Sequence, residues 1–371
     1  MPLTMPMSSH LKILLSLACA VFLALACGCA EDTKLVIDPS PVWSLAYSPD
    51  GKALAVGRGT RGDNTGGSPW GGIGEVTVWQ TKDWTSKVYT NDLTNGVEGV
   101  AFSPDGLQMI AASNACHRNS RGSPGLWNRI TVWKLSDGEV LDTIDVEHRR
   151  DGGGSVTQMS IAHEQGLIGL ARSGDVPVVV DAKTRKLKYV PEGQLGSSGT
   201  SLEFSPDGKS LATCSTLAPM VRLYNSDSGK EISTSELDKA KARCLTFSPD
   251  GAHLAVGRDD GKISILTAKL DKVMGTASVG DAVPVYVVRY APDGKSFAAA
   301  TDAGVHLVDA KTLKVTRSFE KITMRINAVA FAPDGKQIAV GYGREIEGRI
   351  KSGGGVKIFD VSTGKCLRDL E

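Results

Sequence analysis

What this sequence lacks narrows it first. It has no excess of charge of either sign: 42 basic residues face 41 acidic ones. The chain therefore projects no field that would gather nucleic acid or an acidic membrane surface, and neither is expected as a partner on charge grounds. No apolar run reaches the roughly 20 residues of a membrane-spanning helix; the stretch nearest to it, Ile13 to Ala26, has fourteen. H-E-x-x-H, G-x-S-x-G, Walker A and dinucleotide-fingerprint patterns are all missing, and His117, His148, His163, His253 and His306 are scattered. With no catalytic constellation and no ligand spacing, the reading is a non-enzyme that needs no cofactor and no metal. Cys116, Cys214, Cys244 and Cys366 form no C-x-x-C pair, so their spacing indicates neither a metal site nor a redox motif. Aromatics are sparse at 6% while glycines number 42, a balance suited to short strands and tight turns rather than long helices.

What is present is a repeated turn. Ser-Pro-Asp-Gly or Ala-Pro-Asp-Gly occurs at Ser48–Gly51, Ser103–Gly106, Ser205–Gly208, Ser248–Gly251, Ala291–Gly294 and Ala332–Gly335, with a degraded copy at Ala162–Gly166. Proline pre-sets φ at the second turn position, aspartate tolerates the third, and glycine takes the left-handed conformation that returns the chain as a hairpin. Before each turn a pair of apolar residues alternates at period two: Leu45/Tyr47, Val100/Phe102, Met159/Ile161, Leu202/Phe204, Leu245/Phe247, Val288/Tyr290 and Val329/Phe331. This is strand a of a half-buried sheet. Strand b follows the turn. Strand c alternates again, as in Val76/Val78 and Ile263/Ile265, and a second turn such as Ser136-Asp-Gly138 leads to strand d. A repeat of about 42 residues made only of strands predicts an all-β, seven-bladed β-propeller of four-stranded antiparallel blades. The final strand d ends near Leu370, so blade seven is expected to be complete within one piece of chain. The ring would then close by packing, with Lys34–Asp38 at most lengthening the seam.

The Phe-Ser-Pro-Asp-Gly turns and the strands Val-Thr-Val-Trp79 and Ile-Thr-Val-Trp133 resemble the WD40 repeat family, from about Val42 to Glu371. The resemblance implies the propeller and a scaffold that binds a protein or peptide; it is specific for fold and not for partner. The Trp-Asp pair of that family reads Trp79-Gln80, Trp133-Lys134 and Tyr224-Asn225 here, and no blade has the Gly-His pair. Stability is therefore expected from apolar packing between sheets rather than from a buried His-Ser-Asp-Trp network.

Three consecutive blades of the ring depart from regularity between strands b and c. Blade one carries Arg58 to Glu75, blade two Ser113 to Arg129 and blade seven Tyr342 to Gly355; the link from blade two to three, Val146 to Ser155, is also long. Strand direction puts all of these on one rim, where loops on a rigid scaffold commonly bind. The candidate partner-binding residues are Trp70, Arg118, Arg121, Trp127, Arg344 and Arg349, of the types most frequent at interface hot spots. The expectation is a monomeric platform that docks a protein or peptide there. The alternatives are a propeller enzyme with its site at the channel mouth, or polyanion or glycan binding through the rim arginines. Replacing Asn114–Asn128 by a short turn is expected to leave stability nearly unchanged, because surface-loop length carries a small closure cost.

Residues 1–29 read as an export signal ahead of a propeller domain at 30–371. His10 and Lys12 precede the apolar run, and small residues follow it. Ala26-Cys27-Gly28-Cys29 resembles a bacterial lipobox, which implies cleavage before a cysteine whose thiol carries lipid. Cys29 is preferred, with Ala26 at −3 and Gly28 at −1; Cys27 is the alternative. The expected location is the cell envelope, periplasmic or at the outer surface, held to the membrane by the anchor. Cys29→Ser should abolish lipid modification and release the protein from the membrane fraction. Labelled fatty acid still attached to that variant would reassign the anchor to Cys27.

Overall fold

A computed structural model of the chain describes residues 40–59, 74–90, 93, 95–118, 124–146, 154–193, 200–280, 282–344 and 353–370. These residues form seven four-stranded antiparallel sheets, each made of four strands consecutive in sequence, and contain no helix. The fold is a seven-bladed β-propeller. The expected segments Lys34–Asp38 and 1–29 lie outside the described residues.

The repeated turn forms as its residues require. Glycine lies in the left-handed region at Gly51 (φ 70°), Gly106 (70°), Gly208 (67°), Gly251 (69°), Gly294 (68°) and Gly335 (71°). Aspartate does more than tolerate its position. In blade one the Asp50 carboxylate accepts from Ser48 Oγ at 2.7 Å and from the Lys52 N–H at 3.0 Å. Ser48 Oγ in turn accepts from the Ala53 N–H at 2.9 Å. These donors, the Lys52 N–H first, hold the Asp50 carboxyl down at about 2. The second turn, between strands c and d, also uses a left-handed residue: glycine at Gly138, Gly229 and Gly364, but Trp84, Arg185, Leu270 and Leu313 in the other blades.

Strand b explains how blades stack. Its side chains point alternately to the two neighbouring blades. In Leu54-Ala55-Val56, Leu254-Ala255-Val256 and Ile338-Ala339-Val340 the large residues face the preceding blade and the alanine faces the following one. Large against small gives wedges that interlock around a ring. One apolar cluster fills each of the seven interfaces. The glycine after each of these triplets lets the next inner strand come close. A methyl at Gly57 would lie 2.7 Å from the Val97 carbonyl oxygen, and one at Gly341 would lie 2.5 Å from Val42 Cγ1.

The tryptophans of the resemblance, Trp79 and Trp133, bury their indole nitrogens without a hydrogen-bond partner, so they hold the blades by packing. Buried arginines on strand b take up polar contacts near the other end of the blade. Arg258 forks onto Asp260 at 2.7 and 3.1 Å and reaches Ser264 Oγ at 3.2 Å. Arg172 pairs with Asp175 at 3.0 Å.

Blade seven is complete in one piece: Ile326–Phe331, Gln337–Arg344, Gly353–Asp360 and Cys366–Leu370 pair in order. The seam to blade one is filled by Val42, Leu54, Val56, Ala339, Val356, Ile358 and Leu370. A polar contact also crosses it: Asn327 Nδ2 donates to the Val42 carbonyl at 3.0 Å. Removing Lys365–Glu371 should strip Leu370 from the seam and expose the ladder of Gly353–Asp360 as a free edge. A buried leucine alone contributes about 2 kcal/mol, so melting should fall by several degrees or give way to aggregation. Unchanged melting in a thermal scan would show that the seam does not need this strand.

Candidate functional site

The rim that carries the strand b–c connections is built differently from the loops expected there. In blade two, Gln108–Arg118 and Pro124–Lys134 pair without interruption up to Arg118 opposite Pro124. The segment Ser113–Arg129 is thus largely a two-stranded arm. Blade seven extends likewise to Arg344 opposite Gly353, and blade one to Gly59 opposite Gly74.

The arm of blade two is bolted to the ring at its base. Ser113, Asn114, Ala115, Asn128 and Arg129 are all buried. Asn114 Oδ1 accepts from Asn128 Nδ2 at 3.0 Å and from the Val156 N–H at 2.9 Å. Asn128 Nδ2 also donates to the Gly154 carbonyl at 3.1 Å. Arg129 forks onto Asp145 at 2.7 and 3.0 Å. The expectation that Asn114–Asn128 is dispensable for stability does not fit this base: the excision would remove the acceptor of the Val156 N–H and a donor to the Gly154 carbonyl. On blade seven, Gly343 and Gly354 have no room for a side chain, since a methyl on either would lie within 2.7 Å of Pro41 Cα.

Three of the candidate residues lie on these arms. Trp127 lies on the blade-two arm opposite Ala115, with its side chain half-buried. Arg118 ends the first strand of that arm, and Arg344 ends the first strand of the blade-seven arm. Trp70, Arg121 and Arg349, like Cys29, lie outside the described residues.

A second feature, which sequence reasoning missed, is the channel mouth on the same rim. In blades one, two, three, five and seven the register of strand a against strand b slips by one residue, leaving Trp43, Glu98, Thr157, Arg243 and Asn327 as bulged residues. A bulge re-aims its side chain, and all five line a cavity of about 390 Å³ together with Tyr286 and Arg289. Tyr286 has the guanidinium of Arg325 4.6 Å from its ring centre and that of Arg243 at 5.6 Å. Its hydroxyl donates to Asp302 at 3.0 Å. Burial, with Asp302 second, pushes the Tyr286 phenol up. Deeper in, Arg289 reaches Glu203 at 3.4 Å, and Glu203 accepts from Thr246 Oγ1 at 3.0 Å and the Phe247 N–H at 2.9 Å. Burial pushes the Glu203 carboxyl up, against the pull of Arg289. The signal was present in the sequence: two residues before each alternating apolar pair stand Trp43, Glu98, Thr157, Thr200, Arg243, Tyr286 and Asn327, too polar and bulky to be filler. Among the described residues no group of three His, Cys, Asp or Glu could hold a metal ion.

With this geometry in hand, the chain can be set beside known proteins. A family model described as WD domain, G-beta repeat, matches residues 33–65 and 229–265. These matches support the WD40 repeat family. The WD repeat-containing protein SL1-17 of Schistosoma mansoni is 27% identical over 158 residues, 42% of this chain and 49% of that one. The intraflagellar transport protein 122 homolog of Xenopus tropicalis is 25% identical over 60% of this chain and 17% of its own. THO complex subunit 3 of Arabidopsis thaliana is 26% identical over 44% of this chain and 49% of its own. The chain spans about half the length, or less, of these curated relatives.

Asn114→Ala should remove the acceptor of the Val156 N–H and one of the acceptors of Asn128 Nδ2. Stability should fall by about 2 kcal/mol or more, read as a lower denaturation midpoint. Replacing only residues 116–126 by Asp-Gly keeps Asn114 opposite Asn128 and should leave the midpoint close to that of the parent. Equal loss in both variants would mean that the asparagine pair is not what anchors the arm.

Proposed function

We propose that this chain is a non-enzymatic docking platform that engages a protein or peptide partner on the rim bearing the arms of blades seven, one and two. The observation that carries this reading is the buried base of the blade-two arm. A decorative loop needs no Asn114–Asn128–Val156 network, whereas an arm held rigid before contact avoids the ordering cost of binding. The resemblance to WD-repeat proteins supports it, and one relative is by name a subunit of a complex. Export and lipid attachment at Cys29 belong to the same proposal and rest on the layout of residues 10–30.

The test is capture of partners from solubilised envelope by the full chain and by an Arg118→Ala, Trp127→Ala variant with unchanged melting. Truncating such residues at an interface centre costs roughly 2 kcal/mol or more each, so recovery should fall at least tenfold. Full recovery of every partner by the folded variant would move docking off the blade-two arm.

A further inference from the structure

We infer that the channel mouth between blades five and seven is a carboxylate-binding site, built to take an aspartate or glutamate side chain of the docked partner. The inference rests on the docking reading and adds the chemistry that the partner must offer.

The cavity is polarised. Its described lining contains three arginines, Arg243, Arg289 and Arg325, against one acid, Glu98, although the chain as a whole is nearly neutral. Glu98 belongs to blade two and is buried, while the arginines belong to blades five and six and to the segment entering blade seven. Arg289 is engaged by Glu203. Arg243 and Arg325 make no ion pair with any described residue; each has the Tyr286 ring as its neighbour. A guanidinium beside an aromatic ring and without an ion pair can receive a carboxylate through two parallel hydrogen bonds. Arg243 lies on the inner strand of blade five and Arg325 just before that of blade seven, with the Tyr286 ring near both. Asp302 fixes the ring through its hydroxyl. A volume of about 390 Å³ admits one acidic side chain and its backbone more readily than a folded segment.

The probes are a fluorescein-labelled glutamate decapeptide, the glutamine decapeptide of equal length and free glutarate, each titrated into the full chain by fluorescence anisotropy or competition. The glutamate peptide should bind and the glutamine peptide should not. Arg325→Gln, at an exposed position, and Arg243→Gln should each weaken binding about tenfold, the usual size of one charge-assisted contact. Tyr286→Phe keeps the ring and should stay near the parent, whereas Tyr286→Leu should bind less well. Competition by glutarate at concentrations like those of the peptide would keep the carboxylate site but make its natural ligand a free acid, contradicting the partner side chain. Equal binding of the two peptides, or parent-like binding by both arginine variants with unchanged circular dichroism, would overturn the site. Those results would leave the arm-based docking reading standing, because that reading is tested on the blade-two arm alone.

Discussion

The constraint on which this molecule depends is the close approach of neighbouring inner strands. A four-stranded sheet alone leaves two apolar faces in water. Each blade hides both only if its neighbours on the two sides come within van der Waals reach. Strand b makes this possible by alternating large and small side chains and then supplying a glycine where the next inner strand passes. At Gly57, Gly257 and Gly341 a methyl group would overlap the neighbouring blade. The turns repeat the principle on the opposite rim, where Pro49, Pro206, Pro249, Pro292 and Pro333 each face the turn glycine of the following blade. The last of these pairs, Pro333 against Gly51, crosses the seam. Closure therefore uses contacts of the kinds found at other interfaces, with Asn327 adding a hydrogen bond to Val42.

The same crowding creates the site. Inner strands packed this tightly narrow the channel, and below the mouth Leu45, Val100, Met159 and Val329 line the cavity. At the rim the strands splay, and a one-residue bulge in five of the blades turns a large or polar side chain into the opening. The bulge thus serves two ends. It ends the regular pairing of strands a and b, and it sets the chemistry of the mouth by one residue per blade. Polar stitches between adjacent inner strands fix those positions. Ser44 Oγ donates to the Val97 carbonyl, Ser201 Oγ donates to Gln158 Oε1, and the Glu203 carboxylate accepts from the Phe247 N–H. These bonds link the inner strands at the mouth without any ligand.

The propeller was legible because its determinants are local. A left-handed glycine after Pro-Asp and a period-two apolar pair each fit within ten residues, and their recurrence needs only counting. Completeness of blade seven was legible for the same reason. The arms were not. Gly, Ser, Asn and Pro between Ser113 and Arg129 read as a loop, and only the cross-strand pair Asn114–Asn128, with its third partner Val156 more than forty residues away in sequence, converts it into an anchored hairpin. The charged mouth was hidden by a similar distance: Glu203 and Arg289 lie 86 residues apart, and Tyr286 meets Arg243 and Arg325 from different blades. Left-handed Trp84, Arg185, Leu270 and Leu313 escaped because the turn there is imposed by the ladder on each side rather than announced by glycine.

In the docking reading the two features have unequal tasks. A stable protein interface covers roughly 800 Å² on each partner, far more than a mouth fitted to one side chain provides. Contact area, and with it most of the residence time, must come from the arms. The mouth contributes direction instead. A pair of arginines beside one tyrosine rewards a carboxylate and leaves a lysine facing like charge, a penalty that disfavours wrong partners. Arms without the mouth would bind broadly, and the mouth without arms would bind weakly. The ring holds both on one rim because the b–c connections and the starts of the inner strands leave an antiparallel blade at the same end.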